Sequence, residues 1–303
     1  MKNKILLGII IILLPITIYI LHKQVPSTNE DDINQISQNK EIYIDLLINN
    51  EKKQIPLEEY LVNVVGAEVP ALFDIEALKS QAIASRTFAL YEEKKRGYVT
   101  TGDQAYNTLE ELQDKWQDNY YTYLNKIKMA VNTTKNKVLT FDNKLIKSYF
   151  YAMSNGYTTT SLSVFNEDLP YLNTIIPTMD DETTTKFTVT KNMSKNEFCT
   201  KLNIDCNNLI IANITTDNSN RVETLSINNK VYTGIDIRKK FNLRSTDFTI
   251  KEDNENIIFT TKGYGHGVGM SQYGAEAMAK AGANYEEILK YYYQGVTIEE
   301  YMI

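Results

Sequence analysis

ALFDIEALKSQAIASRTFALYEEKKRG, residues 71–97, carries helix punctuation at both ends. Asp74 offers a carboxylate to the free N–H groups of a first turn, and Gly97 tolerates the positive φ at which helices stop. Between them Ile75, Leu78, Ala82, Ser85 and Ala89 recur at offsets of three and four, the spacing of one helix face. The later members of that stripe are small, so another backbone or a ligand can come close. Arg86 follows Ala82 by four residues, on the edge of the stripe, where an unpaired charge is costly to bury. Two readings of it stand. It is a surface Arg whose stem covers the stripe, or it pairs with a carboxylate near a site.

Towards the N-terminus, Leu57, Leu61, Val64 and Val65 predict a helix that Gly66 ends. Pro70 holds Val69 extended. The stretch GAEVP (66–70) therefore places Glu68 on a short, stiff connector between two helices. EIYIDLLI (41–48) and KQIPL read as strands about a turn at 49–52. Beyond Gly97, TLEELQDKW reads as a short helix, and VLTF–DN–KLIKSYFYA as a hairpin turning at Asp142-Asn143. Its second strand runs into MSNGYTTTS, where Ser154-Asn155-Gly156 is either the wall of a site or only a turn.

Residues 171–262 shift towards strands: TKFTVT, LIIANITTD, RVETLSI, KVYTG and a hairpin in DFTIKEDNENIIFTTK. SKNEFCTKL, with Ser194 and Glu197 in a capping pattern, and IDIRKKFNL read as short helices. In the last segment Gly263, Gly265, Gly267 and Gly269 alternate with Tyr264, His266 and Val268. Such a run gives one bare backbone face or unusual dihedrals. No GKS or GKT follows, so it is not a phosphate loop. Ser271 caps a helix to Ala281, and Asn284 with Glu287 starts another that Gly295 closes. His266 is the only His outside the N-terminal apolar region; it is a satisfied structural residue or a neighbour of a site.

The 303 residues carry a net charge of −6, which argues against a nucleic-acid binder. The 21 tyrosines suit half-buried strands and sugar-stacking surfaces alike. Lys2 and Lys4 precede an apolar run from Ile5 to Leu21, near the lower length for a bilayer span. We read this run as an uncleaved signal anchor with the N-terminus cytoplasmic and the rest outside; a cleaved secretory signal is the alternative. Cys199 and Cys206 pair or stay as two small apolar residues. With two His and two Cys no zinc ligand set is evident, and no metal or other cofactor is expected.

No Ser-His-Asp order or nucleophilic Cys stands out. A carboxyl group walled by Val69, Pro70 and apolar neighbours would hold its proton more readily than one in water. Glu68 could then donate to a glycosidic oxygen. Hydrolysis commonly uses two carboxylates. One suffices if the substrate brings its own nucleophile, with the Glu acting first as acid and then as base. A solvated Glu is the plain alternative.

Three segments together resemble the stage II sporulation protein D (SpoIID) family: VVGAEVPALFDIEALKSQAIASRTFALY, SNRVETLSINNKVYTGIDIRKKFNLRSTDF and GYGHGVGMSQYGAEAMAKAGANYEEILKYYYQGVTI. SYFYAMSNGYTTT is similar to the family's SxSGGxT strand and loop. The resemblance implies a membrane-anchored lytic transglycosylase of forespore engulfment. Such an enzyme cleaves the MurNAc–GlcNAc bond of peptide-stripped peptidoglycan and leaves 1,6-anhydroMurNAc ends. It implies Glu68 as the catalytic acid/base, with Arg86, Ser154, Asn155, His266 and Gln272 lining the groove. The implied partners are peptidoglycan strands, a peptide-removing amidase/endopeptidase and a polytopic membrane protein of the engulfment complex. The family often has His where Tyr151 stands and Gly where Asn155 stands. A non-catalytic glycan-binding or amidase-enhancer module is the alternative.

The expected fold class is α+β. The expected divisions are a transmembrane anchor (1–23), a flexible linker (24–40), the first part of a catalytic lobe (41–170), a strand-rich lobe (171–262), and a Gly-rich loop with C-terminal helices completing the catalytic lobe (263–303).

Overall fold

The computed structural model describes residues 41–181 and 184–302. The apolar run at 5–21 and the stretch at 24–40, and with them the expected anchor and linker, lie outside the described residues. Among the described residues no helix is long and apolar enough to cross a membrane. The architecture is α+β, helices with several small sheets.

Strands β1 (Tyr43–Ile48) and β2 (Glu51–Pro56) form an antiparallel hairpin. Asn49 and Asn50 turn it at φ 51 and 66, a tight turn that Asn tolerates. The short β3 (Val99–Thr100) joins β1 in parallel. Helix α1 (Leu57–Glu68) follows Pro56 directly. It does not stop at Gly66, as the sequence predicts, but runs on to Glu68. The reason is packing: a Cβ at Gly66 would lie 2.9 Å from Leu112 Cδ1 and 3.0 Å from Trp116 Cη2. Gly66 thus serves the close approach of α3 (Leu109–Trp116) rather than a positive φ. Val69, at φ −126 and ψ 153, ends the helix in the extended conformation that Pro70 imposes.

Helix α2 (Ile75–Arg96) has the expected caps: Asp74 accepts from Glu76 N, and Gly97 sits at φ 78. Its burial is wider than one stripe. Every residue from Ser80 to Leu90 is buried, and Ala82, Ala84, Ser85 and Ala89 let neighbours approach from several directions. An all-round buried helix is a central one. Around it pack α1 and α4 (Tyr120–Thr133) and, from the far end of the chain, α8 (Gln272–Lys280) and α9 (Tyr285–Tyr292). Leu61, Val65, Leu78, Ile127, Ile288 and Leu289 are among the residues of this first apolar core.

The predicted hairpin at Asp142-Asn143 forms, but its return strand is short. β4 (Lys137–Phe141) pairs with β5 (Lys144–Leu145) on one side and β14 (Thr297–Glu300) on the other. The chain then leaves that sheet. β6 (Phe150–Tyr151) pairs in parallel with β13 (Met270–Ser271). The four alternating glycines all have positive φ, from 73 to 124. A Cβ at Gly269 would sit 1.9 Å from Tyr149 O, and one at Gly265 2.6 Å from Tyr151 Cβ, so this run must be bare to lie on β6.

A second apolar core is built within residues 193–259. It holds the sheets β10-β9-β8 and β11-β12-β7 (β7 Thr188–Ser194, β8 Ile211–Thr216, β9 Val222–Ile227, β10 Lys230–Thr233, β11 Phe248–Asp253, β12 Asn256–Lys262). Helices α6 (Lys195–Leu202) and α7 (Gly234–Phe241) contribute Phe198 and Phe241, stacked at 4.9 Å between centroids, with Phe259 of β12 5.2 Å from Phe241. Cys199 and Cys206 are joined by a disulfide.

Candidate active site around Glu68

Glu68 is the last residue of α1, half-buried at the mouth of a pocket of about 270 Å³. Its lining combines polar Glu68, Asp103 and Gln104 with the rings of Phe88, Tyr149, Phe150, Phe165 and His266. Tyr149 and Phe165 stack at 4.3 Å, and His266 meets Phe165 edge-on at 5.1 Å. Phe165 comes from the short helix α5 (Ser161–Phe165).

Both carboxyl oxygens of Glu68 are held. Ala105 N donates to Oε1 at 2.6 Å and Gln272 Nε2 to Oε2 at 3.2 Å. Burial raises the pKa of the group; the two donors and the charge of Lys115 oppose the rise without cancelling it. The negative end of the α1 dipole acts with burial. Lys115 Nζ donates to the terminal carbonyls of Gly66 and Ala67, at 2.9 and 3.3 Å, so its charge lies close behind the carboxyl group. Glu68 thus keeps its proton to a higher pH than a solvated Glu.

Gln272, buried as the first residue of α8, shares its amide nitrogen between Glu68 and Gln81 Oε1, the latter at 3.3 Å. Asp103 is not a second free carboxylate. Its Oδ2 accepts from Thr100 N and Oγ1, at 2.6 and 2.9 Å, and from Arg96. Gln104 donates to Tyr60 OH and Ser85 O, both at 3.3 Å, and its buried Oε1 has no protein partner.

The sequence-predicted residues divide. Glu68 and His266 line the pocket, and Gln272 stands behind it, bonded to Glu68. Nδ1 of His266 accepts from Val268 N at 3.1 Å, and burial pushes its pKa down to about 3, with the Arg238 charge adding to the drop. It is a neutral ring in an aromatic wall, not a cation. The other three lie elsewhere. Arg86, wholly buried, pairs with Glu58 through Nε at 2.9 Å and Nη2 at 2.6 Å, and donates to the carbonyls of Lys137 and Val131. It is neither a surface residue nor part of the groove. Ser154 donates its hydroxyl to Tyr157 O, and its N–H goes to Asp180. Asn155 donates to Ser219 O at 2.7 Å and Asp247 Oδ2 at 2.8 Å. The Ser154-Asn155 loop is a buried junction to residues 217–247, not a pocket wall. Sequence reasoning missed Gln81, Gln104, the Ala105 N–H and the Tyr149–Phe165 ring pair. Only the polar Gln81 on the small-residue face of a helix offered a signal.

The family model described as "Stage II sporulation protein" matches residues 49–141, which contain Glu68, Gln81 and Gln104. Stage II sporulation protein D of Bacillus subtilis (strain 168) is 40% identical over 264 residues, 83% of this chain and 77% of the relative. This chain belongs to the stage II sporulation protein D family. The family's protein from Bacillus amyloliquefaciens is 39% identical over 264 residues, 83% of this chain and 76% of the relative. Similarity also extends to a protein named amidase enhancer in Bacillus subtilis (strain 168), 29% identical over 296 residues, which cover 80% of this chain and 40% of that one. As a SpoIID-family member, this is a sporulation protein.

Proposed function

We propose that this protein is a lytic transglycosylase acting on peptide-stripped peptidoglycan, with Glu68 as its single acid/base. The observation that carries the reading is a half-buried carboxyl group of raised pKa in the lining of one pocket with five aromatic rings, at a volume that suits a sugar ring. Aromatic faces take the apolar face of a pyranose, and the polar groups meet its hydroxyls. None of the described lining residues is Lys or Arg, so nothing there favours the carboxylates of stem peptides.

In this reading the Glu68 carboxyl group protonates the glycosidic oxygen as the bond from C1 of MurNAc breaks. The resulting carboxylate then takes the proton from the C6 hydroxyl of the same sugar while O6 bonds to C1. The product is a 1,6-anhydro ring, no water is used, and Glu68 ends as it began. Ala105 N–H and Gln272 hold the carboxylate between the two steps. The N-terminal apolar run would anchor the protein with this site outside the cytoplasm. A peptide-removing amidase/endopeptidase would supply the stripped strand, and a polytopic membrane protein would complete the assembly.

The amidase-enhancer relative supports a second reading, in which the pocket binds glycan without cleaving it. Purified peptide-free strands separate the two. Native protein should release anhydro-muramyl ends, and Glu68→Gln of unchanged fold should lose at least about a thousandfold in rate, on the order of 4 kcal/mol. Equal release by both would sink the role of Glu68. Binding by both with release by neither would favour the enhancer reading.

A further inference from the structure

The mechanism above gives no role to Gln81, a buried polar side chain one residue removed from Glu68 in the hydrogen-bond network. Gln81 lies in the middle of α2, 1% exposed, yet both ends of its amide are engaged: Nε2 donates to Ser85 Oγ at 2.9 Å, and Oε1 accepts from Gln272 Nε2 at 3.3 Å. The two hydrogens of the Gln272 NH2 group therefore point at two acceptors, Gln81 Oε1 and Glu68 Oε2. Rotating the Gln272 amide by half a turn would set its carbonyl against Gln81 Oε1, and against Glu68 Oε2 as well once that group is ionised. Gln81 could turn with it only if the Ser85 hydroxyl reversed as well, from acceptor to donor. Gln272 thus donates in both directions, to Glu68 and to Gln81, and Gln81 passes the bond on to Ser85 of the same helix, so a turn of the Gln272 amide requires the whole row to reverse.

We propose that Gln81 is a positioning residue for Glu68, acting only through Gln272. It keeps an N–H donor on the carboxyl group, which stabilises the carboxylate that must form halfway through the proton transfer. Without it the Gln272 amide can turn its carbonyl towards a protonated Glu68, which stabilises the acid and delays its ionisation. The orientation part stands on geometry alone; its consequence for turnover rests on the transglycosylase reading.

Three readouts on the full-length protein test this. Titration of the Glu68 carboxyl group by difference infrared spectroscopy, with Glu68→Gln as the blank, should move to higher pH in Gln81→Met. A double-mutant cycle should be non-additive: Gln81→Met should add no shift to that of Gln272→Met. Gln81→Glu keeps an acceptor oxygen and nearly the same shape. It should therefore leave the Gln272 side-chain NH2 as slow to exchange as in the native protein, whereas Gln81→Met should speed that exchange. If the Met variant does not fold, faster exchange in Gln81→Glu alone refutes the proposal. Unchanged Glu68 titration in Gln81→Met, or additive shifts in the cycle, would overturn it too. On peptide-free strands kcat should fall about tenfold in Gln81→Met with KM unchanged. Should Glu68→Gln retain full activity while the titration shift persists, the acid/base role of Glu68 fails and the positioning of its carboxyl group by Gln81 stands.

Discussion

Glu68 and Arg86 both sit within the stretch that gives the chain its family likeness, and the structure treats them oppositely. Glu68 is half-buried, with each oxygen held by one donor and one side turned to a pocket. Arg86 is sealed, with four hydrogen bonds to Glu58, Lys137 O and Val131 O and no face towards the pocket. The first keeps valences for a ligand. The second joins α1, α2, α4 and β4 into the frame that holds the first in place. A motif marks both kinds of residue with equal weight; only the direction of the unused hydrogen-bonding capacity separates them.

Four substitutions test that contrast. The largest effect on the fold belongs to Arg86→Leu, which leaves the partly buried Glu58 and the carbonyls of Lys137 and Val131 without their partner and should cost about 3 kcal/mol in chemical denaturation. At a temperature where the variant is folded, its KM for peptide-free strands should equal the native value. A raised KM there would make Arg86 part of the groove after all. Asn155→Ala, which strands Ser219 O and Asp247, should cost about 1–3 kcal/mol and also spare KM. Phe165→Ala removes the stacking partner of Tyr149 from the pocket. It should raise KM for glycan about fivefold, near 1 kcal/mol, with kcat little changed.

The smallest effect sharpens the comparison most. Burial raises the Glu68 pKa, so the folded state binds its proton more tightly than the unfolded chain does. The stability tied to this group is therefore present at low pH and is lost as pH rises through the folded-state pKa. Glu68→Gln has no such loss. Its Tm should match the native one at pH 4 and exceed it at pH 7, so the variant that is dead in turnover is the more stable protein. A native Tm advantage that grows with pH would contradict the raised pKa.

Much of this was legible in the sequence where a residue's own chemistry decides local geometry. Asp74 and Gly97 bound α2, and Asn49-Asn50 and Asp142-Asn143 both turn their hairpins at positive φ. What was illegible depends on partners distant in the chain. Gly66 looked like a stop because a Gly after a helical pattern ordinarily is one; its true constraint is the Leu112 and Trp116 side chains. The partner of β6 is β13, some 120 residues away, and no local pattern announces a parallel pairing two residues long. The pocket itself is assembled from α1, α2, the loop at 103–105, the 149–165 segment and the Gly-rich run. Residues such as Gln104 and Phe165 therefore had no common signature.

The shortest restraint on Glu68 comes from the main chain, the N–H of Ala105 at 2.6 Å. The Ala105 side chain points to no part of this contact, so replacing it with Ser or Val leaves the donor in place. Scanning the loop residue by residue would pass over it in silence. Only proline at 105, which has no N–H to give, or an ester linkage in place of that amide, can remove the tether and expose how much of the acid's behaviour it governs.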